Sequence, residues 1–165
     1  MGIKLEAAQK IVNWSSAFEQ VSAWKKQDIS VVFTNGCFDI LHLGHVDYLE
    51  KARALGDKLV VGLNTDASVK RQEKSPERPI NDEYSRARLL ASLFFVDLVV
   101  LFDEQTPYDI IAYLQPNVLV KGDDYAVENI VGANIVINNG GVVKTVPLVK
   151  GYSTTKIVNK IKNLN

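Results

Sequence analysis

The chain has 165 residues, 47% of them hydrophobic, and balances 19 lysines and arginines against 19 aspartates and glutamates. That length suits one domain, which on folding buries roughly 70% of the surface its unfolded chain exposes. Zero formal charge argues against a duplex nucleic-acid binder with a broad basic face. The single cysteine, Cys37, gives no disulfide framework, and no apolar run is long enough for a membrane span. With no basic-then-apolar leader at its start, the chain is expected to be soluble and cytoplasmic, without nucleic-acid or membrane partners.

Residues 4–27 carry Ile11, Trp14, Phe18 and Val21 at helical spacing. Ser16 and Glu19 read as a capping box, giving either one helix or two broken near Ser15. Residues 29–34 are a short β-branched run ending in Asn35-Gly36, a central strand. A helix over 43–55 follows, with Val46, Leu49 and Ala52 on one face and Gly56 as its stop. Residues 58–64 are the next strand, completing a βαβ unit with parallel strands.

The stretch 65–80, charged and holding Pro76 and Pro79, is expected to be a long loop, functional or disordered. Asn81 reads as the cap of a helix that buries Leu89, Leu90, Leu93 and Phe94. A strand over 97–102 comes next. Thr106-Pro107 opens a helix burying Ile110, Ile111 and Leu114, which Pro116 ends. Residues 118–120 are a fourth strand, and Asn138-Asn139-Gly140-Gly141 turns into a fifth over 142–147. Ser153-Thr154 caps a last helix with Ile157, Val158, Ile161 and Leu164 inward. The alternation predicts a doubly wound, Rossmann-like α/β sheet of five parallel strands with helices on both faces. Ligands in such sheets bind beyond the strand C-termini, where strand order reverses. The polar clusters 34–45, 64–66, 122–125 and 151–155 all follow strands, so they should meet in one crevice.

Within the first cluster sit both histidines of the chain, spaced His42-Leu43-Gly44-His45 at a helix start. A glycine-bearing turn leading into a helix N-terminus suits a phosphate, and Gly44 allows close approach to the backbone. The stretch is neither a Walker loop nor Gly-x-Gly-x-x-Gly. A zinc site lacks a third evident ligand. Cys37 is expected to be a small packed residue rather than a nucleophile.

The run Asn35-Gly36-Cys37-Phe38-Asp39-Ile40-Leu41-His42-Leu43-Gly44-His45 resembles the signature of the cytidylyltransferase-like superfamily, the nucleotidyltransferases with a His-x-Gly-His motif. Gly151-Tyr152-Ser153-Thr154-Thr155 is similar to that family's second motif. Within the family, the chain resembles the D-glycero-β-D-manno-heptose 1-phosphate adenylyltransferases over residues 29–164. Asn64-Thr65-Asp66-Ala67-Ser68-Val69-Lys70-Arg71, Arg78-Pro79-Ile80-Asn81, Val120-Lys121-Gly122-Asp123-Asp124-Tyr125 and Asn139-Gly140-Gly141 carry that likeness. Those enzymes usually read Gly-Gly-Asp-Tyr where this chain has Gly122-Asp123-Asp124-Tyr125. Glycerol-3-phosphate cytidylyltransferases share the histidine motif but carry an arginine where this chain has Leu148.

The resemblance implies a nucleotidyltransferase domain over 29–165, preceded by a helical extension over 1–28, in a stand-alone form lacking a kinase half. It implies transfer of AMP from ATP to a sugar 1-phosphate, with release of ADP-heptose for lipopolysaccharide core synthesis and of pyrophosphate. His42, His45 and Arg86 would be catalytic. Thr34, Asn35, Gly36, Cys37, Phe38, Gly44, Lys121, Gly122, Asp124, Ser153, Thr154 and Thr155 would bind nucleotide. Asp39, Asp66, Lys70, Arg71 and Arg78 would bind acceptor or phosphates, with the loop after Asp66 as a lid. Mg²⁺ would arrive with ATP, and a homodimer is expected. The alternatives are a cytidylyltransferase acting on glycerol phosphate or a similar small phosphate, and a nucleotide-binding module without turnover.

Overall fold

The computed structural model describes residues 6–72 and 77–164. Among them six strands form one sheet: β1 (Ile11–Val12), β2 (Val31–Gly36), β3 (Lys58–Asn64), β4 (Leu98–Phe102), β5 (Val118–Gly122) and β6 (Val142–Val146). Their order is β1-β4-β3-β2-β5-β6, and every adjacent pair is parallel. The helices are α1 (Glu6–Gln9), α2 (Trp14–Lys25), α3 (Leu43–Arg53), α4 (Asp66–Arg71), α5 (Glu83–Ala91), α6 (Tyr108–Leu114), α7 (Ala133–Asn138) and α8 (Thr154–Lys162).

Side-chain alternation divides the core into two layers. Val32, Leu59, Val61, Leu63, Val118 and Val120 face α3 and α5, where Leu49, Ala52, Ala87 and Leu90 are fully buried. Val31, Phe33, Val60, Val100 and Leu119 face α2, α6 and α7 through Val21, Ile110, Ile111 and Val136. Strands covered on both faces need apolar middles, and β2 to β5 accordingly centre on valine, leucine and phenylalanine, with their charged and amide residues at the ends. The doubly wound expectation therefore holds, with six strands in place of five.

The sixth strand comes from the segment expected to be a helical appendage. Ile11 and Val12 pair with Val99 and Val100 of β4, and the Val99 N–H donates to the Lys10 carbonyl at 2.8 Å. Two β-branched residues are too short a run for periodicity to separate strand from helix. Asn13, not Ser16, caps α2: its side chain accepts from the Ser16 N–H at 2.9 Å.

Other boundaries shift for comparable reasons. Six residues of the expected long loop form α4, capped by Thr65 accepting from the Ser68 N–H; positions 73–76 of that loop lie outside the described residues. Asp82, one residue after Asn81, caps α5. That helix buries Arg86, Ala87, Leu90 and Ala91, leaving Leu89 and, beyond its end, Phe94 exposed. Gly132, with φ 84°, precedes the unforeseen α7. α8 buries no residue at all, so the inward face expected for Ile161 and Leu164 is open to solvent.

Replacing Asn13 with alanine should cost about 1 kcal/mol of stability, the usual worth of an N-cap. Ser16→Ala should change it by less than about 0.5 kcal/mol. Urea unfolding of the two variants distinguishes the true cap.

Candidate active site

The order of the sheet reverses beside β2, since β3 lies on one side and β5 on the other. Two adjoining cavities open at that end. One, of about 320 Å³, lies between the turns after β2 and β5 and the loop after β6. Asn35, His42 and Gly44 line it from one side, Lys121, Gly122, Asp124 and Tyr125 from another, and Leu148, Tyr152 and Ser153 from the third. The other, of about 400 Å³, is bounded by Asp39, Arg78 and Ile80 and by α8 through Thr155, Val158, Asn159 and Lys162. Cys37, Phe38, His45 and Thr154 line both. They form the common wall.

That wall is held in an unusual backbone shape. Phe38 and Ile40 adopt φ values of 45° and 50°, which side-chain-bearing residues seldom take and which cost about 1–3 kcal/mol each. Asp39 between them supplies the compensation. Its carboxylate, only 1% exposed, accepts from the Ile80 N–H (2.8 Å), the Asn81 N–H (3.0 Å) and Arg78 Nη1 (3.2 Å). Its carbonyl accepts from Thr154 Oγ1 at 2.7 Å, tying the start of α8 to the same turn.

Arg86 braces the turn from beneath. Its guanidinium is 0% exposed and donates to the carbonyls of Cys37 (2.7 Å) and Asn81 (3.0 Å) and to Asp66 Oδ1 (2.7 Å). It lines neither cavity, and neither does Asp66. Thr34 also lies behind the cavity. Tyr48 Oη donates to the Val120 carbonyl at 3.1 Å, so the contact of 2.6 Å between Thr34 Oγ1 and Tyr48 Oη has Thr34 as donor. Tyr48, missed in the sequence although it sits one turn after His45, thereby clasps α3 to β2 and β5; burial pushes its hydroxyl up to about 12.

The histidine rings stack, centroids 3.7 Å apart and 18° from parallel, and Phe38 meets His45 edge-on at 5.3 Å. A Cβ on Gly44 would lie 3.1 Å from His42 Nδ1 and from the Tyr152 Cβ, so glycine lets ring and loop close on the helix start. The Nδ1 atoms of both histidines are buried without a protein hydrogen-bond partner. Burial first, and then repulsion from His42, lowers the His45 pKa to about 4; burial lowers that of His42 as well. Both are neutral imidazoles near pH 7, each with one N–H to donate.

Of the remaining cations, Arg78 faces the larger cavity. Lys70 and Arg71 sit in the last turn of α4, away from both, and Arg71 pairs with Asp103. Lys121 Nζ donates to Asn35 Oδ1 at 2.5 Å and lies 5.9 Å from the Tyr125 ring centre. Ser153 caps α8, its oxygen accepting from the Lys156 N–H, which leaves its own proton available. Asn159 and Lys162 were hidden in the sequence because only the apolar period of α8 was legible. Among the described residues no three His, Cys, Asp or Glu side chains gather as a metal site, and no helix is long and apolar enough to cross a membrane.

The profile of the cytidylyltransferase-like family matches residues 33–160, which span both histidines and the start of α8. The chain belongs to the cytidylyltransferase-like family. Curated relatives include the bifunctional protein HldE of Magnetococcus marinus, 55% identical over 94% of this chain, and that of Koribacter versatilis, 52% identical over 93%. This cytidylyltransferase-like chain spans about a third (32%) of the length of those relatives. Among solved structures, the lipopolysaccharide core biosynthesis protein of Thermoplasma volcanium is 34% identical, with a TM-score of 0.59 over 76% of this chain and 99% of its own. Pantoate-beta-alanine ligase of Francisella tularensis, 17% identical, aligns over 93% of this chain and 77% of its own with a TM-score of 0.58 and shares the fold.

Two outcomes follow from the site's buried groups. Arg86→Met strips a half-buried carboxylate and two carbonyls of their donor and should cost about 3 kcal/mol, at the low end for a broken buried pair because Asp66 is 31% exposed; urea unfolding measures it. Between pH 6.5 and about 4 the unfolded chain protonates His45 and the folded chain does not, so acidification through that window removes stability. The urea midpoint of the wild type should fall more steeply there than that of His45→Gln.

Proposed function

We propose that this nucleotidyltransferase moves AMP from ATP onto a sugar 1-phosphate, D-glycero-β-D-manno-heptose 1-phosphate, releasing pyrophosphate and an ADP-heptose for lipopolysaccharide core. The observation that carries the reading is the wall shared by two cavities. His45 and Thr154 face both, so two substrates lying side by side have these groups at the point where they meet. The smaller cavity, with Tyr125, Leu148 and Tyr152 around Lys121, suits a nucleotide: apolar faces for a base and cationic and helix-end donors for phosphates. The larger one, with Arg78, suits the acceptor. Kinship with the Thermoplasma volcanium protein, itself described by lipopolysaccharide core biosynthesis, supports the pathway.

An acceptor phosphate oxygen attacks the α-phosphorus; that P–O bond forms as the one to the bridging oxygen of the β-phosphate breaks and pyrophosphate departs. The second pKa of a phosphate monoester is about 6, so the nucleophile is already ionised near neutrality. No base is needed. The rate then depends on alignment and on donors aimed at the charge shifting over the phosphoryl oxygens. His42 and His45 supply N–H groups and Ser153 a hydroxyl at the N-terminus of α8. Asp39 and Arg86 fix the turn that aligns them.

Because the described residues make no carboxylate cage and the Asp39 oxygens are taken by two backbone N–H groups and Arg78, Mg²⁺ fits as an ion carried on the triphosphate, bound by phosphate oxygens and water. It would neutralise charge on the leaving pyrophosphate. A homodimer remains part of the proposal.

His45→Ala should lower kcat by about 10²–10³, the worth of one oxyanion-type donor. A coupled pyrophosphate assay with ATP and the heptose phosphate measures it and tests the reading; faster release from CTP with glycerol 3-phosphate would replace it. Triphosphate binding beside the neutral imidazoles raises their pKa, so ATP should be bound with proton uptake at pH 6, read by calorimetry in buffers of different ionisation enthalpy.

A further inference from the structure

We infer that Asn159 and Lys162, on the stripe of α8 that faces the larger cavity, determine specificity by reading the hydroxyls at the far end of a long sugar-phosphate acceptor. The inference rests on the adenylyl-transfer reading for where the acceptor's phosphate lies. Chemistry at the shared wall puts that phosphate beside His45 and Thr154, and the remainder of the acceptor has to run along the larger cavity.

α8 measures that path. Thr155, Asn159 and Lys162 stand at i, i+4 and i+7, one line along the helix, and all three line the cavity. At about 1.5 Å of rise per residue, Asn159 is about 7 to 8 Å beyond Thr154 and Lys162 about 12 Å. A three-carbon phosphate ends within the first turn. A six- or seven-carbon sugar phosphate extends along the second.

The groups at that distance suit a diol. An amide both donates and accepts, and an ammonium donates through three hydrogens. Lys162 Nζ pairs with Glu77 Oε1 at 3.0 Å across the cavity, the two side chains 58% and 52% exposed. An ion pair so open to water is worth at most about 1 kcal/mol, so sugar hydroxyls can exchange into it at little cost, taking the ammonium and the carboxylate as donor and acceptor. α8 buries none of its residues, so its polar stripe has no part in the hydrophobic core.

The test is steady-state kinetics of Asn159→Ala, Lys162→Ala and, as a control outside the cavity lining, Lys160→Ala, with ATP and D-glycero-β-D-manno-heptose 1-phosphate. Lys162→Ala should raise the acceptor KM about tenfold, the size of one lost charge-assisted hydrogen bond, and Asn159→Ala about fivefold, that of a neutral one, with kcat and the ATP KM unchanged. Lys162→Arg should restore most of the loss, and Lys160→Ala should do nothing. Unchanged acceptor KM in both cavity variants overturns the inference. If the wild type releases no pyrophosphate from this pair, the adenylyl-transfer reading fails by itself. Calorimetry with glycerol 3-phosphate, mannose 1-phosphate and the heptose phosphate then decides. Weakened binding of the two sugar phosphates alone in the variants upholds the inference, and equal affinities, or no sugar-phosphate binding by the wild type, reject it.

Discussion

The Asp39 carboxylate, out of water and satisfied by three donors from the segment 78–81, is the constraint on which the site depends. Burying a carboxylate costs several kcal/mol unless its lone pairs are met. Here they are met by groups far along the chain, so the turn after β2 closes only when that segment is in place. Arg86 makes the converse demand, a buried cation seeking carbonyls from the same two segments. The two charges cross-link the turn from above and below. They fix the position of the histidines while touching no cavity through Arg86 and only the larger one through Asp39.

From that fixed turn the labour of the site divides by chemistry. On the β5 side the lining mixes aromatic and aliphatic faces with Lys121 and Asp124; on the α8 side Asp39, Glu77, Arg78 and Lys162 make it more heavily charged, among Val69, Ile80 and Val158. His45 stands between, kept uncharged by burial and by its stacked neighbour. On the proposed reading, a neutral donor pair would accept the triphosphate without first having to release a tightly bound counter-ion, and would gain positive character only as the polyanion arrives.

Much of this was legible in the residues, and the failures have physical causes. Strand–helix alternation identified the doubly wound sheet because β2 to β5 are buried on both faces and so almost purely apolar. β1 escaped because two residues carry no period. Both histidines, Asn35, Gly44, Ser153 and Thr154 were singled out by their motifs, and all of them line the cavities because motif spacing reports a local backbone shape. Arg86 was taken as catalytic by resemblance, and a sequence shows a charge and not its burial; its placement beneath the turn came only with the fold. Lys70 and Arg71 were assigned to the acceptor or phosphates by resemblance, yet they stand in the last turn of a short helix and line neither cavity. Asn159 and Lys162 lay on the polar side of an amphipathic pattern, where composition does not separate solvent from a cavity.

The pairing of Ile11 and Val12 with β4 has a consequence for solubility. β4 is Leu98-Val99-Val100-Leu101-Phe102, and its backbone edge, left bare, would be the kind of apolar template on which foreign strands dock. Two residues mask the middle of it. At the opposite border β6 discourages such docking by another means, an exposed Lys144 on its central residue. Removal of β1 would leave both cavities lined as before and expose an adhesive border, so its loss would be felt as aggregation before it was felt as lost chemistry.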